Sequence, residues 1–257
     1  MRLVLLVIWF LVSFDTIAQP VSYTASNAHS HNDYEQPVPF YEAYSQQFGS
    51  IEADIFLRDG KLLVAHQANQ LDSNKTLSTL YLQPLLAKIT KNNGSVYADT
   101  SRRLQLMIDV KTSAEATLQA LVQLLAAYPM LTQCNSLQLV ISGNRPDPEL
   151  FSTYPTYILF DGELNKTYST AALQKIVMLS DNFKRYSAWN GKDNIPGTEL
   201  EAIQQGIAKA HALGKKVRFW NAPDSINSWR AFMTWGVDYI NTDQVAALAA
   251  FIKSDGK

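Results

Sequence analysis

The sequence is short of several things, and each shortage excludes something. One cysteine, Cys134, occurs in 257 residues, so no internal disulfide can form and the fold must hold through its core. It lies in LTQCNSLQLV, ahead of an apolar run, which predicts a half-buried structural thiol. Net charge is scarce: 22 basic and 23 acidic side chains leave −1. That gives no broad electropositive face for nucleic acid. A single phosphate-bearing ligand stays compatible, because local charge decides its binding. No charge run, linker or low-complexity stretch interrupts residues 19–257, which read as one domain. Long apolar runs are missing too, apart from LVLLVIWFLV at residues 3–12. That run is too short to span a bilayer comfortably, follows Arg2, and leads to TIA ending at Ala18. Residues 1–18 are therefore expected to be a cleaved signal peptide, which implies a secreted or periplasmic protein with no stable membrane insertion.

What is present is an alternation. Strand-like stretches fall at 26–30, 51–57, 104–110, 137–142, 156–160, 184–189, 216–221 and 237–241. Nearly every one is followed by a helix-like stretch. The clearest is SAEATLQALVQLLAAY, with apolar residues three and four apart; TAALQKIVML reads as another. The Asp-Gly at 59–60 turns the second strand back into KLLVAH as a hairpin. Strand–helix alternation calls for a parallel sheet. Eight such units predict a single (β/α)8, or TIM, barrel. A doubly wound sheet is the rival. The barrel is favoured because polar residues gather at the C-terminal strand ends, which a barrel brings to one mouth.

Those ends carry His29, His31, Asn32 and Asp33 on strand one, then Glu52 and Asp54 on strand two, with His66 beyond the hairpin. Asp109 and Lys111 follow on strand three, Asn144 and Arg145 on strand four, Arg218, Trp220 and Asn221 on strand seven, and Asn241 and Asp243 on strand eight. Glu52 and Asp54 are two apart and face the same way. Two carboxylates turned into a barrel are costly unless neutralised. With Asp109 they form an all-oxygen set suited to one divalent cation, Mg²⁺ or Ca²⁺. Lys111, with Arg145 or Arg218, offers positive charge to a phosphate group. His29 and His66 would flank that phosphate as acid and base. His31 is the alternative to His29, or else faces the substrate. Asn32 fixes the loop or a substrate oxygen, and Trp220 is either core or a pocket wall.

The His-x-His at 29–31 also resembles the opening of the amidohydrolase barrels. Such a site wants further histidines after later strands, and past His66 only His211 remains, inside a helical stretch. That reading is the weaker one.

The combination AHSHND, IEADIFLRDGKLLVAH, LMIDVK, KVRFWNAPD and GVDYINTD resembles the glycerophosphodiester phosphodiesterase and phosphatidylinositol-phospholipase-C-like superfamily. It is most similar to the branch named after altered inheritance of mitochondria protein 6. The resemblance implies a metal-dependent phosphoric diester hydrolase acting on a glycerophosphodiester or (lyso)phospholipid-like substrate. It implies His29 and His66 as acid–base pair, Glu52, Asp54 and Asp109 as metal ligands, and Lys111, Asn32, His31, Arg145, Arg218 and Trp220 as substrate contacts. Three departures stand out, one being that the span between His66 and Thr76 has no obvious room for the small insertion that recognises glycerol in glycerophosphodiesterases. Ser30-His31 follows the first histidine where glycerophosphodiesterases have Arg-Gly, and the third ligand is Asp rather than Glu. A barrel that binds a phosphorylated ligand without turnover is the alternative of a different class.

Overall fold

The computed structural model describes residue 20 and residues 22–255; the expected signal peptide lies outside them. Among these residues nine strands form. They are β1 (Ala28–Ser30), β2 (Ser50–Arg58), β3 (Lys61–Val64), β4 (Leu104–Val110), β5 (Leu137–Gly143), β6 (Ile158–Glu163), β7 (Ile176–Asn182), β8 (Lys216–Trp220) and β9 (Ile240–Thr242). All but β3 pair in parallel, in the order β8-β7-β6-β5-β4-β2-β1-β9. A parallel bridge from Arg218 to Tyr239 brings the two ends of the sheet together, giving a nearly closed eight-stranded barrel. β3 lies antiparallel on β2, as the Asp-Gly turn requires.

The helices are α1 (Tyr41–Ser45), α2 (Gln83–Lys91), α3 (Ala114–Leu125), α4 (Pro129–Thr132), α5 (Thr170–Lys175), α6 (Gly197–Ala212), α7 (Ile226–Trp235) and α8 (Val245–Asp255). α7 shows why such segments stop and start where they do. Ser225 and Ser228 form a reciprocal cap at its start, and Gly236 ends it at φ +88°. The cap contributes about 1 kcal/mol. Trp229 and Phe232 on one face are buried. Cys134 is buried just ahead of β5 with its thiol 3.3 Å from the Gly94 carbonyl, a structural position.

The sixth strand is not where the sequence pattern puts it. The segment TAALQKIVML, expected to be helical throughout, is helix only to Lys175; from Ile176 it is β7. The segment expected as strand at 184–189 holds a short 3-10 turn, Phe183–Arg185. Ile176 and Val177 are β-branched and stiff at χ1, which suits the pleated sheet. The sheet needs a strand between β6 and β8, and pairing on both sides overrides the helical spacing of the apolar residues.

Strands covered on both faces read as near-continuous apolar runs, and β4 is buried at six of its seven positions. Alternation sends the other side of each strand into the lumen. Met107, Met178 and Tyr239 form a small cluster of their own, separate from the main core between barrel and helices. Gln105 reaches from β4 to Ser50 on β2 and to Met178 on β7, so it crosses the lumen beneath the mouth.

Candidate active site

A cavity of about 470 Å³ opens at the C-terminal ends of the strands. Glu52, Asp54, Asp109, Lys111, His31, Asn32, His66, Arg145, Arg218 and Trp220 line it. Of the residues expected from the sequence, His29 does not. The structure thus brings together all the expected residues except one.

Glu52 and Asp54 share the inward side of β2, and Asp109 pairs with Asp54 from β4. One oxygen from each lies within 4.8 Å of the others. Among the described residues this is the one cluster whose donor atoms meet that criterion. The set fits a hard divalent cation: three carboxylates, no nitrogen, no sulfur. It also shows the stress that a cation relieves. The Asp54 carboxyl is pushed up to about 6, first by burial and then by the neighbouring Glu52 carboxylate. Lys111 answers part of that repulsion. Its ammonium sits 2.9 Å from Asp54 and 2.9 Å from Asp109, and these carboxylates outweigh burial to hold it charged.

Glu52 behaves differently from Asp54. Burial works to raise its pKa, but His31, Arg218 and His29 together hold it below the usual carboxylate range. His29 and Arg218 form the floor of the site. His29 is fully buried, with Nδ1 2.7 Å from the Ser50 hydroxyl and Nε2 2.7 Å from an Arg218 Nη and 3.3 Å from Glu52. Arg218 also donates to Asn241 at 3.1 Å. Burial, then the guanidinium, lowers the His29 pKa to about 4. A fully buried ring with both nitrogens engaged and no opening to the cavity cannot exchange protons with a substrate there.

The mouth histidines are His31 and His66. His31 lies in the turn just past the end of β1, two residues beyond His29, and reaches the cavity. Its Nδ1 is 2.8 Å from Asp243, and its Nε2 is 3.7 Å from Glu52. The shorter contact, to the Asp243 carboxylate, favours the tautomer in which Nδ1 carries the proton and donates it to Asp243. Nε2 then faces Glu52 as the exchanging atom. Burial lowers its pKa, but Glu52 and Asp243 outweigh burial, and the net shift is upward. His66 stands at the other end of the carboxylates, 45% exposed, with Nδ1 3.7 Å from Asp54 and 3.2 Å from the Tyr34 hydroxyl. Tyr34 in turn donates to Asp54 at 2.7 Å. Asn32 stands in the left-handed region at φ 47°, and its side chain lies within hydrogen-bond reach of Tyr34 (2.8 Å) and Asp243 (3.3 Å). Its side-chain nitrogen also lies 3.0 Å from His31 Nδ1. His211 lies away from the cavity, held 2.8 Å from Asp238.

Sequence reasoning missed the far wall, formed by Asp161 and Glu163 on β6 and Ser180 and Asp181 on β7. The β7 pair was hidden by the misplaced strand. Asp161 was legible: ILFDG presents a carboxylate in an apolar strand just as LMIDV does in β4. Arg145 is tied into this wall, donating to the Asp161 carbonyl and to Glu163 at 3.1 Å. Trp220 is 38% exposed at the end of β8, a wall rather than core.

The family models and the solved structure that this chain is similar to are of the glycerophosphodiesterase type. Residues 19–140 match the AIM6-like phosphodiesterase domain, and residues 216–246 match the glycerophosphoryl diester phosphodiesterase family. The chain is 28% identical to the altered inheritance of mitochondria protein 6 homolog of Arthroderma benhamiae, over 87% of this chain and 82% of that one. To altered inheritance of mitochondria protein 6 of Lachancea thermotolerans it is 26% identical, over 84% of this chain and 63% of the relative. In three dimensions it is similar to a glycerophosphodiester phosphodiesterase from Parabacteroides distasonis, with a TM-score of 0.57 and 15% identity over 90% of this chain and 98% of that one. That likeness supports the fold. The resemblance read from the sequence is thus shown, both to the superfamily and to its AIM6 branch. The first matched stretch contains the carboxylates, Lys111 and the three N-terminal histidines; the second contains Arg218, Trp220 and Asp243. The far wall lies in neither.

Proposed function

We propose that the protein is a metal-dependent phosphoric diester hydrolase acting on a glycerophosphodiester or (lyso)phospholipid-like substrate, with His31 and His66 as the acid–base pair. The observation that carries this reading is the placement of the two histidines. Each has a ring nitrogen 3.7 Å from one end of the Glu52–Asp54 pair, at the mouth of the barrel. A phosphate drawn to Lys111 and the carboxylate-bound cation would lie between them. Mg²⁺ or Ca²⁺ held by Glu52, Asp54 and Asp109 would neutralise the phosphate oxygens and the charge that develops on them.

The chain's own groups divide the remaining work. Lys111 adds a fixed positive charge beside the phosphate position. Asp243 orients the His31 ring and favours a proton on it. Tyr34 positions Asp54 and contacts His66. One histidine takes the proton of the attacking hydroxyl and the other delivers one to the leaving oxygen. His29, which the resemblance made the first acid–base residue, supports Glu52 from below instead.

The test is hydrolysis of bis(p-nitrophenyl) phosphate and of a lysophospholipid by the purified protein with Mg²⁺ or Ca²⁺, and again after EDTA. Chelator-sensitive release of product is expected. Phosphorylated ligands that bind while no diester is cleaved would establish the non-catalytic barrel in its place. The export expected from residues 1–18 would put this activity outside the cytoplasm, which fractionation of expressing cells checks.

A further inference from the structure

Among the described residues two buried side-chain atoms have no protein hydrogen-bond partner: Asp161 Oδ1 and Arg218 Nε. Both residues line the cavity. The far wall carries three carboxylates, and two are held by cationic donors. Glu163 accepts from Arg145 at 3.1 Å and Lys166 at 2.7 Å. Asp181 accepts from Arg185 at 2.8 Å, Tyr186 at 2.9 Å and the Asn182 amide at 2.8 Å. Asp161 is 1% exposed, and its other oxygen takes the Ser180 hydroxyl. Arg145 does not hold its carboxylate; it binds the Asp161 backbone carbonyl. A buried acceptor facing a cavity without a donor is a site waiting for one.

We propose that Asp161 is a specificity residue, whose Oδ1 accepts a hydrogen bond from a hydroxyl on the alcohol part of the bound phosphate ester. The assignment rests on the phosphodiester reading above and names the part of the substrate recognised opposite the catalytic carboxylates. Geometry supports it. β6 is two strands along from β4, so Asp161 stands on the order of 10 Å around the wall from Asp109. A phosphate at Lys111 with a short alcohol reaching across covers that distance.

Charge selects a neutral donor over a cationic one. Burial pushes the Asp161 carboxyl up to about 6, and Arg145 and Arg218 act against that rise. Glu163 and Asp181 are already matched by Arg145, Lys166 and Arg185, so an ammonium would add charge beside Arg145 and Arg218, whereas a hydroxyl needs only the one acceptor without a partner.

The experiment is calorimetric binding of propyl phosphate, glycerol 3-phosphate and 3-aminopropyl phosphate to the full chain and to Asp161→Ala, with Mg²⁺ present. The wild type is expected to prefer glycerol 3-phosphate over propyl phosphate by about 10- to 100-fold, the range for one hydrogen bond to a charged group. In Asp161→Ala that ratio should collapse to about one. Asp161→Leu, which keeps the approximate shape and removes both oxygens, serves if the alanine variant does not fold, and the same collapse is expected. No preference in the wild type, a preference that survives in the variant, or an equal loss for both ligands overturns the assignment. Preference for 3-aminopropyl phosphate overturns the hydroxyl in favour of a cation. Diester turnover is scored separately. Selective binding without turnover upholds the subsite and removes the hydrolase, while turnover without selectivity removes the subsite alone.

Discussion

Arg218→Met tests the floor of the site, because it removes one charge from a buried network and leaves the rest in place. The guanidinium is 2% exposed and contacts His29, Asn241 and, at 3.7 Å, Glu52. Breaking a buried ion pair on one side costs about 3–5 kcal/mol, so a loss of that size is expected near pH 8. The loss should shrink on acidification. In the wild type His29 stays neutral down to about 4, against an ordinary 6.5. A histidine with a lowered pKa contributes stability above its unfolded pKa and loses it as pH falls through 6.5 towards 4. The depression of 6.5 − 4 = 2.5 units corresponds to at most about 3.4 kcal/mol. Burial is the larger cause of that depression and Arg218 the next, so the methionine variant recovers only part of it. Protonated His29 can then serve Glu52 as counter-charge. Glu52 and Asp161 shift the same way, because each carboxyl loses a cation that held it ionised. Urea denaturation of both proteins at pH 8 and pH 5.5 reads the difference directly. A destabilisation that is equal at the two pH values, or grows at the lower one, would refute the network.

The mouth histidines should separate from the buried one. His31→Ala and His66→Ala are each expected to reduce diester turnover by about two to four orders of magnitude with little change in urea midpoint. His29→Ala leaves Glu52 and Arg218 short of a buried partner and should lower the midpoint; a midpoint equal to wild type would count against its place in the floor. Glu52→Gln and Asp109→Asn should weaken Mg²⁺ or Ca²⁺ binding by at least about tenfold in a calorimetric titration, since even an outer partner of a ligand costs that much. Gly143→Ala is expected to do the same indirectly. Gly143 sits at φ +69°, and a Cβ there would overlap the Asp109 carboxylate and the Val110 backbone. Unchanged cation affinity would show that Asp109 is not a ligand.

The chemistry at the strand ends was mostly legible in the chain. A carboxylate inside an apolar strand, as in IEADIF and LMIDV, conflicts with burial, and the conflict itself announces a site. The two-residue period then fixed that Glu52 and Asp54 face one way, and that Lys111 follows Asp109 on the same side. The β4 strand coincides with its expected span because every one of its residues is apolar or compensated.

Sequence by itself thus determined the parallel barrel, the acidic trio and the lysine beside it, since these follow from local period and from the cost of buried charge. Tertiary structure decided which histidine reaches the cavity. His29 and His31 are the same residue type two positions apart; His29 stands in β1 and His31 in the turn one pleat beyond its end. Only the closure of β8 onto β9 puts Arg218 beneath that pleat, seals His29 with Glu52 and leaves His31 above, at the mouth. The far wall was decided there too. β7 starts at Ile176 because two neighbouring strands pair with it, and that pairing sets Ser180 against Asp161.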